Sequence, residues 1–314
     1  MTELLTETLG NSLTEMGTAI IQVPQIETPS ISSSAMTVDL SISQWAGRKK
    51  DRKASKEVTE ANNAQSGAAN VHKKLLGDCR ELKAVHDLTG NLRNIHYRLT
   101  MPWLDSGLRL LPTKAYFNYH KTMTDLESQW RDKVNKFLAA YDWEISQAEA
   151  RLGDLFNRAE YPTVNQLSHK FGLRLGYIPL PDGGDFRLDI GAEGNAVLED
   201  HYKTFYANRI ENSYKDVWER LHKALSRMSE RLDYAGKEDK KTFRDSLVEN
   251  ALEMIPLLDT FNLTDDGQMK AMKNQLEEGL LGVTAEALRE DDHLRRETKR
   301  NVDDIINSLP SLDI

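Results

Sequence analysis

Residues 45–53, Trp-Ala-Gly-Arg-Lys-Lys-Asp-Arg-Lys, are the densest cationic stretch of the chain, and Lys56 extends it. Cationic side chains attract phosphate, and an aromatic ring beside them can stack on a base. Trp45, Arg48, Lys49, Lys50, Arg52, Lys53 and Lys56 therefore form the candidate nucleic-acid-binding set. A plainer reading stands beside it. Basic runs are commonly solvated helix starts, and a lone tryptophan is commonly a core residue.

No other set of residues assembles into chemistry. The eight histidines are scattered, with none in a Cys/His or His-x-x-x-His metal spacing. Cys79 falls on an apolar helical face, which suits a buried inert thiol better than a nucleophile. Asp182-Gly183-Gly184-Asp185 lacks the alternating acids and distal Glu of a calcium loop and reads as a turn. A Gly-Lys-Ser/Thr phosphate loop is absent. The carboxylate pairs Asp291-Asp292 and Asp303-Asp304 lie on helical surfaces as ordinary solvated acids. The expectation is a protein without enzymatic activity, catalytic residues, metal or cofactor.

Charge is unevenly spread. Residues 1–43 carry five acids and no Lys or Arg, whereas residues 44–121 carry 15 Lys/Arg against 7 Asp/Glu. The rest holds 26 against 37, for a formal net charge of −8. A basic segment in an acidic chain can present a phosphate-attracting face, because local charge sets the field at close range. Equally, it can pair with acidic helices of its own or a neighbouring subunit. No apolar run reaches the roughly 20 residues of a transmembrane helix, and the acidic N-terminus does not look like a signal peptide. A single cysteine suits a reducing compartment, so the expected location is the cytoplasm, with no membrane partner.

Two long apolar stripes must carry these residues. Tyr119, Met123, Leu126, Trp130, Val134, Phe137, Tyr141, Ile145, Ala148, Leu152 and Leu155 recur at helical spacing; so do Leu198, Tyr202, Phe205, Tyr206, Ile210, Tyr214, Val217, Leu221, Leu225, Met228 and Leu232. Between them lie Tyr161-Pro162, Pro179-Leu180-Pro181 and Asp182-Gly183-Gly184, with alternating runs at 173–178 and 185–190. The predicted fold is mainly α: a long antiparallel, coiled-coil-like helical hairpin with a small β-hairpin tip and flanking N- and C-terminal helices. Residues 1–37 read as a disordered tail, 38–112 as a strand plus a basic helical segment, and 113–235 as the hairpin with its tip at about 160–193. Residues 236–314 read as C-terminal helices. In detail, 37–45 is a strand, 53–66 a polar helix, 71–86 a helix followed by a break at Gly90, and 101–112 a proline-bracketed loop pinned to the helices. Gly172 is expected to cap the short helix 164–171. Trp143, off the main stripe, is a candidate for a contact between subunits.

The run 39–63, with Ser43-Gln44-Trp45-Ala46-Gly47-Arg48-Lys49, resembles a family of uncharacterised bacteriophage and integrative-element proteins that share a Ser-x-Trp-x-Gly-Arg-Lys box. The likeness continues through Met101-Pro102-Trp103, Leu110-Leu111-Pro112, Phe156-Asn157, Tyr161-Pro162, Gly184-Asp185-Phe186-Arg187 and Phe243–Asn250, and so covers about residues 37–310. It implies gene company with recombination, replication or AAA+ ATPase functions, and it carries over no catalytic residue. Two readings follow. One is a non-enzymatic phage accessory protein that binds DNA, single-stranded or as recombination or replication intermediates, through the basic segment. The other is an oligomeric scaffold or chaperone-like adaptor of an AAA+ ATPase that binds no nucleic acid. Both imply a homo-oligomer.

Overall fold

The computed structural model describes residues 29–180, 191–234 and 241–310. Along the chain come α1 (Pro29–Ser34), β1 (Ala35–Ser43), β2 (Arg48–Asp51), α2 (Arg52–Ala61), β3 (Val71–Lys74), α3 (Arg80–Arg98), β4 (Met101–Pro102) and β5 (Arg109–Pro112). They are followed by α4 (Tyr116–Leu152), α5 (Val164–Ser168), β6 (Gly172–Pro179) and α6 (Gly191–Leu232). The chain closes with α7 (Ser246–Leu252), α8 (Met254–Phe261), α9 (Gly267–Gly279), α10 (Ala285–Glu290) and α11 (Asp292–Ser308). Helix dominates, as the stripes predict.

These elements form two units. A ribbon unit holds residues 38–99 and 116–178, and a C-terminal unit holds the described parts of 1–37, 100–115 and 179–314. In the strand order β4-β5-β1-β6, β1 is shared, since Thr37 belongs to one unit and Val38 to the other.

In the ribbon unit, helix α4 buries Tyr119, Met123, Leu126, Trp130, Val134, Phe137, Tyr141, Ile145 and Ala148, the face its periodicity predicts. Helix α3 packs along it through Leu82, Val85, Leu88 and Leu92. Polar groups on the same faces are paired rather than stranded: Trp130 Nε1 donates to Thr89 Oγ1 at 2.8 Å, and His96 Nδ1 meets the Tyr119 hydroxyl at 2.7 Å. Helix α3 runs through Gly90 without a break. One glycine costs a helix only about 1 kcal/mol, less than the flanking Leu88 and Leu92 gain by burial.

In the C-terminal unit, α6 buries Tyr206, Ile210, Tyr214, Val217, Trp218, Leu221, Leu225, Met228 and Leu232, packed by β4, α7, α8 and α11. The proline-bracketed loop is a short antiparallel pair, β4–β5, with Met101 opposite Leu110 and Trp103 buried. Its expected attachment is real: Ser213 Oγ donates to the Pro102 carbonyl at 2.6 Å. The end of α6 is closed from α11, where Arg295, 1% exposed, donates to the Leu232 and Tyr234 carbonyls at 2.7 and 2.9 Å and lies 3.7 Å from the Tyr234 ring centre. A guanidinium here satisfies orphan carbonyls and opposes the negative end of the helix dipole.

Several expectations need correction. The stripes predict a hairpin of the two long helices; α4 and α6 fall in different units, and within its unit each packs on shorter elements, α3 and α5 for α4, and α7, α8 and α11 for α6. An amphipathic stripe specifies that a face is buried and does not name its partner. The expected disordered tail over 1–37 lies outside the described residues for 1–28; residues 29–37 form α1 and the start of β1, with Ile31 and Ala35 buried. The first strand of the expected β tip exists as β6, yet it lies beside β1, where Gly172 approaches Ser43 and Arg174 pairs with Asp39 at 3.1 Å. Its expected turn and second strand, 181–190, lie outside the described residues. Gly172 opens β6 rather than capping a helix, and His169 takes the cap. Residues 71–74 are strand β3 rather than helix. No helix among the described residues is long and apolar enough to cross a membrane.

Replacing Arg295 with Ala should lower stability by about 3 kcal/mol, because the buried Leu232 carbonyl and the part-buried Tyr234 carbonyl lose their donor and Asp292 its partner. Urea denaturation measures it, and Arg295→Lys should recover only part.

Candidate nucleic-acid interface

The cationic run divides between a strand and a helix start. Arg48–Asp51 is strand β2, paired antiparallel with β3 in the register Arg48↔Lys74, Lys49↔Lys73, Lys50↔His72 and Asp51↔Val71. Residues opposite one another in a ladder share a face, and like charges so placed repel. The outer face of this ribbon therefore carries Arg48, Lys50, His72 and Lys74, all exposed. On the inner face Lys49 is exposed, but Lys73 is nearly enclosed, 2.7 Å from Glu160 and 3.9 Å from Asp51, and it donates to the Leu155 carbonyl at 2.8 Å.

Helix α2 then leaves the ribbon from Asp51, whose carboxylate accepts from Ala54 N at 3.0 Å as the N-cap. It is tied back by Ser55 Oγ, which accepts from Val71 N at 3.0 Å. Arg52, Lys53 and Lys56 sit exposed on this helix, Lys56 within 3.5 Å of Glu60. Arg48, Lys49, Lys50, Arg52 and Lys53 make no side-chain ion pair or hydrogen bond with any described residue. The internal pairing allowed for by the plainer reading is thus missing for these five among the described residues.

Trp45 also has a structural job. Its ring is half-buried, stacked on Phe137 at 6.1 Å and 25° and set edge-on to Tyr141 at 5.8 Å. His86 Nε2 lies 2.9 Å from the Trp45 carbonyl oxygen and fixes the backbone. The half-buried indole therefore anchors the ribbon to α4. Two residues on, Gly47 turns the chain at φ +63° and accepts Leu75 N at 2.8 Å through its carbonyl. A Cβ there would stand 2.6 Å from Leu82 Cδ2.

Beside the ribbon lies an open recess of ≈ 340 Å³. Leu75, Tyr161 and Trp45 line it, together with Arg48 and Lys49 from the ribbon and Gln166 and Lys170 from the α5 region. Sequence reasoning missed His72, Lys73, Lys74 and Lys170. The first three counted toward the basic segment but were taken into a helix; Lys170 lies more than a hundred residues from the run and is brought in only by the fold.

Elsewhere, histidines find partners as expected: His120 Nδ1 meets Tyr177 OH at 3.0 Å and His169 Nδ1 the Asn165 carbonyl at 2.6 Å. Cys79 is buried, and burial pushes its thiol up from the usual range. The fold does bring Cys79, Glu81 and Glu144 together, with donor atoms within 4.8 Å, a grouping that sequence spacing does not reveal. Glu144 already accepts from Arg151 Nη2 at 2.9 Å, so its negative charge is answered. Trp143 is 62% exposed on α4.

Two outcomes test this anchoring. Gly47→Ala should destabilise the protein by about 2 kcal/mol or more, read from its thermal midpoint, because strain at positive φ adds to the clash with Leu82. Burial pushes the Tyr141 phenol up to about 12 from an ordinary 10. The folded state therefore keeps a proton that the unfolded chain loses first, so stability intact below pH 10 falls as pH rises toward 12. Part of that fall should vanish in Tyr141→Phe, measured by denaturation across the alkaline range.

No protein-family model matches this chain, and neither a curated protein nor a solved structure matches it.

Proposed function

We propose that the protein is a non-enzymatic DNA-binding accessory protein whose β2–β3 ribbon and helix α2 hold the phosphate backbone. One observation carries this reading: a ladder that sets Arg48 against Lys74 and Lys49 against Lys73 while five neighbouring cations lack ion partners among the described residues. Like charges on facing positions cost stability, and a polyanion relieves that cost by binding. Counterion release from DNA adds the driving force. The resemblance to bacteriophage proteins with the Ser-x-Trp-x-Gly-Arg-Lys box supports the same direction, with recombination or replication intermediates in a host cytoplasm as the setting. Arg48, Lys49, Lys50, Arg52, Lys53 and Lys56 are the contact set, and Trp45 holds them in place.

A second reading, an oligomeric scaffold or adaptor of an AAA+ ATPase, draws on the exposed Trp143 and on Phe117, 81% exposed at the start of α4. Self-association is compatible with either.

Arg48/Lys49/Lys50→Glu should abolish measurable DNA binding while leaving the solution mass unchanged. On the wild type, log affinity should fall with log salt at about 0.9 per phosphate engaged, giving a slope of roughly 3 to 5. Gel shifts across a salt series, beside light scattering, decide it. A variant that loses its assembly while wild type shows no salt-sensitive binding supports the scaffold instead.

A further inference from the structure

We infer that the recess beside the ribbon receives a nucleotide of a single DNA strand, so that the protein prefers single strands over duplex. This rests on the nucleic-acid reading above and goes further by naming the form of DNA and the pocket that selects it.

The recess has the parts a nucleotide needs. Its floor is narrow: Leu75 and Tyr161 line it but are almost wholly buried, so the half-buried Trp45 supplies most of the aromatic surface a base could meet. That floor is held rigid: the Tyr161 hydroxyl donates to the Leu75 carbonyl at 2.6 Å, and the Tyr141 hydroxyl donates to the Pro162 carbonyl at 3.1 Å. A planar base needs such a fixed surface, since every base has an apolar face to lay against it.

Cations reach the recess from two segments. Arg48 and Lys49 line it from the ribbon, and Lys170 lines it from the segment after α5, exposed and without an ion partner among the described residues. The one carboxylate in the recess, Glu160, would repel phosphate if free, but Lys73 lies 2.7 Å from it, with both side chains largely enclosed. The recess is therefore net positive although an acid sits in its wall. At ≈ 340 Å³ it falls at the small end of ligand sites, about 300–1,000 Å³. A second hollow shares Pro162, Gln166 and Lys170 with it and continues past His169, so a backbone entering over the ribbon has a path onward.

A duplex cannot use this arrangement. Its bases are stacked on both faces and paired along their edges, so none reaches a recessed floor unless it is extruded. On duplex DNA the ribbon cations would still meet phosphates, but Lys170 and the floor would contribute little.

Fluorescence anisotropy with labelled oligo-dT and a duplex of equal length, on wild type and Lys170→Glu, tests this. Wild type should bind the single strand about tenfold more tightly, and Lys170→Glu should erase most of that preference while changing duplex affinity no more than about threefold. Lys170 is exposed and unpaired among the described residues, so the charge reversal should leave the thermal midpoint unchanged. Equal wild-type binding of both forms, or an equal loss of both in the variant, overturns the recess while the DNA reading stands. Wild type binding neither form ends both.

Discussion

The ring of Trp45 against Phe137 and Tyr141 is the contact on which the candidate interface depends. A four-residue strand of Arg, Lys, Lys and Asp has no apolar side chain of its own to bury, and two short strands alone are marginal. The ribbon is stable because it starts from an indole packed on a 37-residue helix and ends at an N-cap whose helix is hydrogen-bonded back to β3. Between those two fixings, repulsive residues can be held side by side. The aromatic residue that looked like part of the recognition set is thus what allows the charged ones to be displayed.

Such an arrangement goes against local consistency. Facing strands ordinarily pair opposite charges or apolar side chains, and departures from that rule concentrate at functional sites. Here the departure is selective. Lys73 is matched by Glu160 and Asp51, Lys74 by Asp78 at 2.9 Å, and Lys56 by Glu60, whereas Arg48, Lys49, Lys50, Arg52 and Lys53 have no such match among the described residues. Cations that stabilise the fold are separated from cations that remain available to a ligand. The acidic character of the rest of the chain does not alter this, because screening confines each charge to about a Debye length.

Much of this was legible in the sequence. The buried face of α4 is the predicted one residue by residue from Tyr119 to Ala148, because a long unbroken helical period has few competing explanations. The cationic set was visible as composition alone. What the sequence could not supply was partnership. The stripes on α4 and α6 fit one another on paper, yet each is covered by shorter helices whose own patterns are equally amphipathic. Strand β3 was hidden because Val-His-Lys-Lys has only one apolar residue and its pairing lies across a nineteen-residue gap that includes α2. Lys170 carried no signal at all, being an isolated lysine until the fold brings it to the same recess as Arg48.

The antiparallel register of β2 and β3 has one more consequence. Because side chains alternate between faces, shifting either strand by a single residue would turn its acid and its cations over together. Asp51 would leave the enclosed side, and Lys73 would lose the carboxylate that makes its burial tolerable. The strength of the positive field above the ribbon is therefore set by parity, the odd or even count of residues between Gly47 and the N-cap, as well as by how many lysines the segment contains.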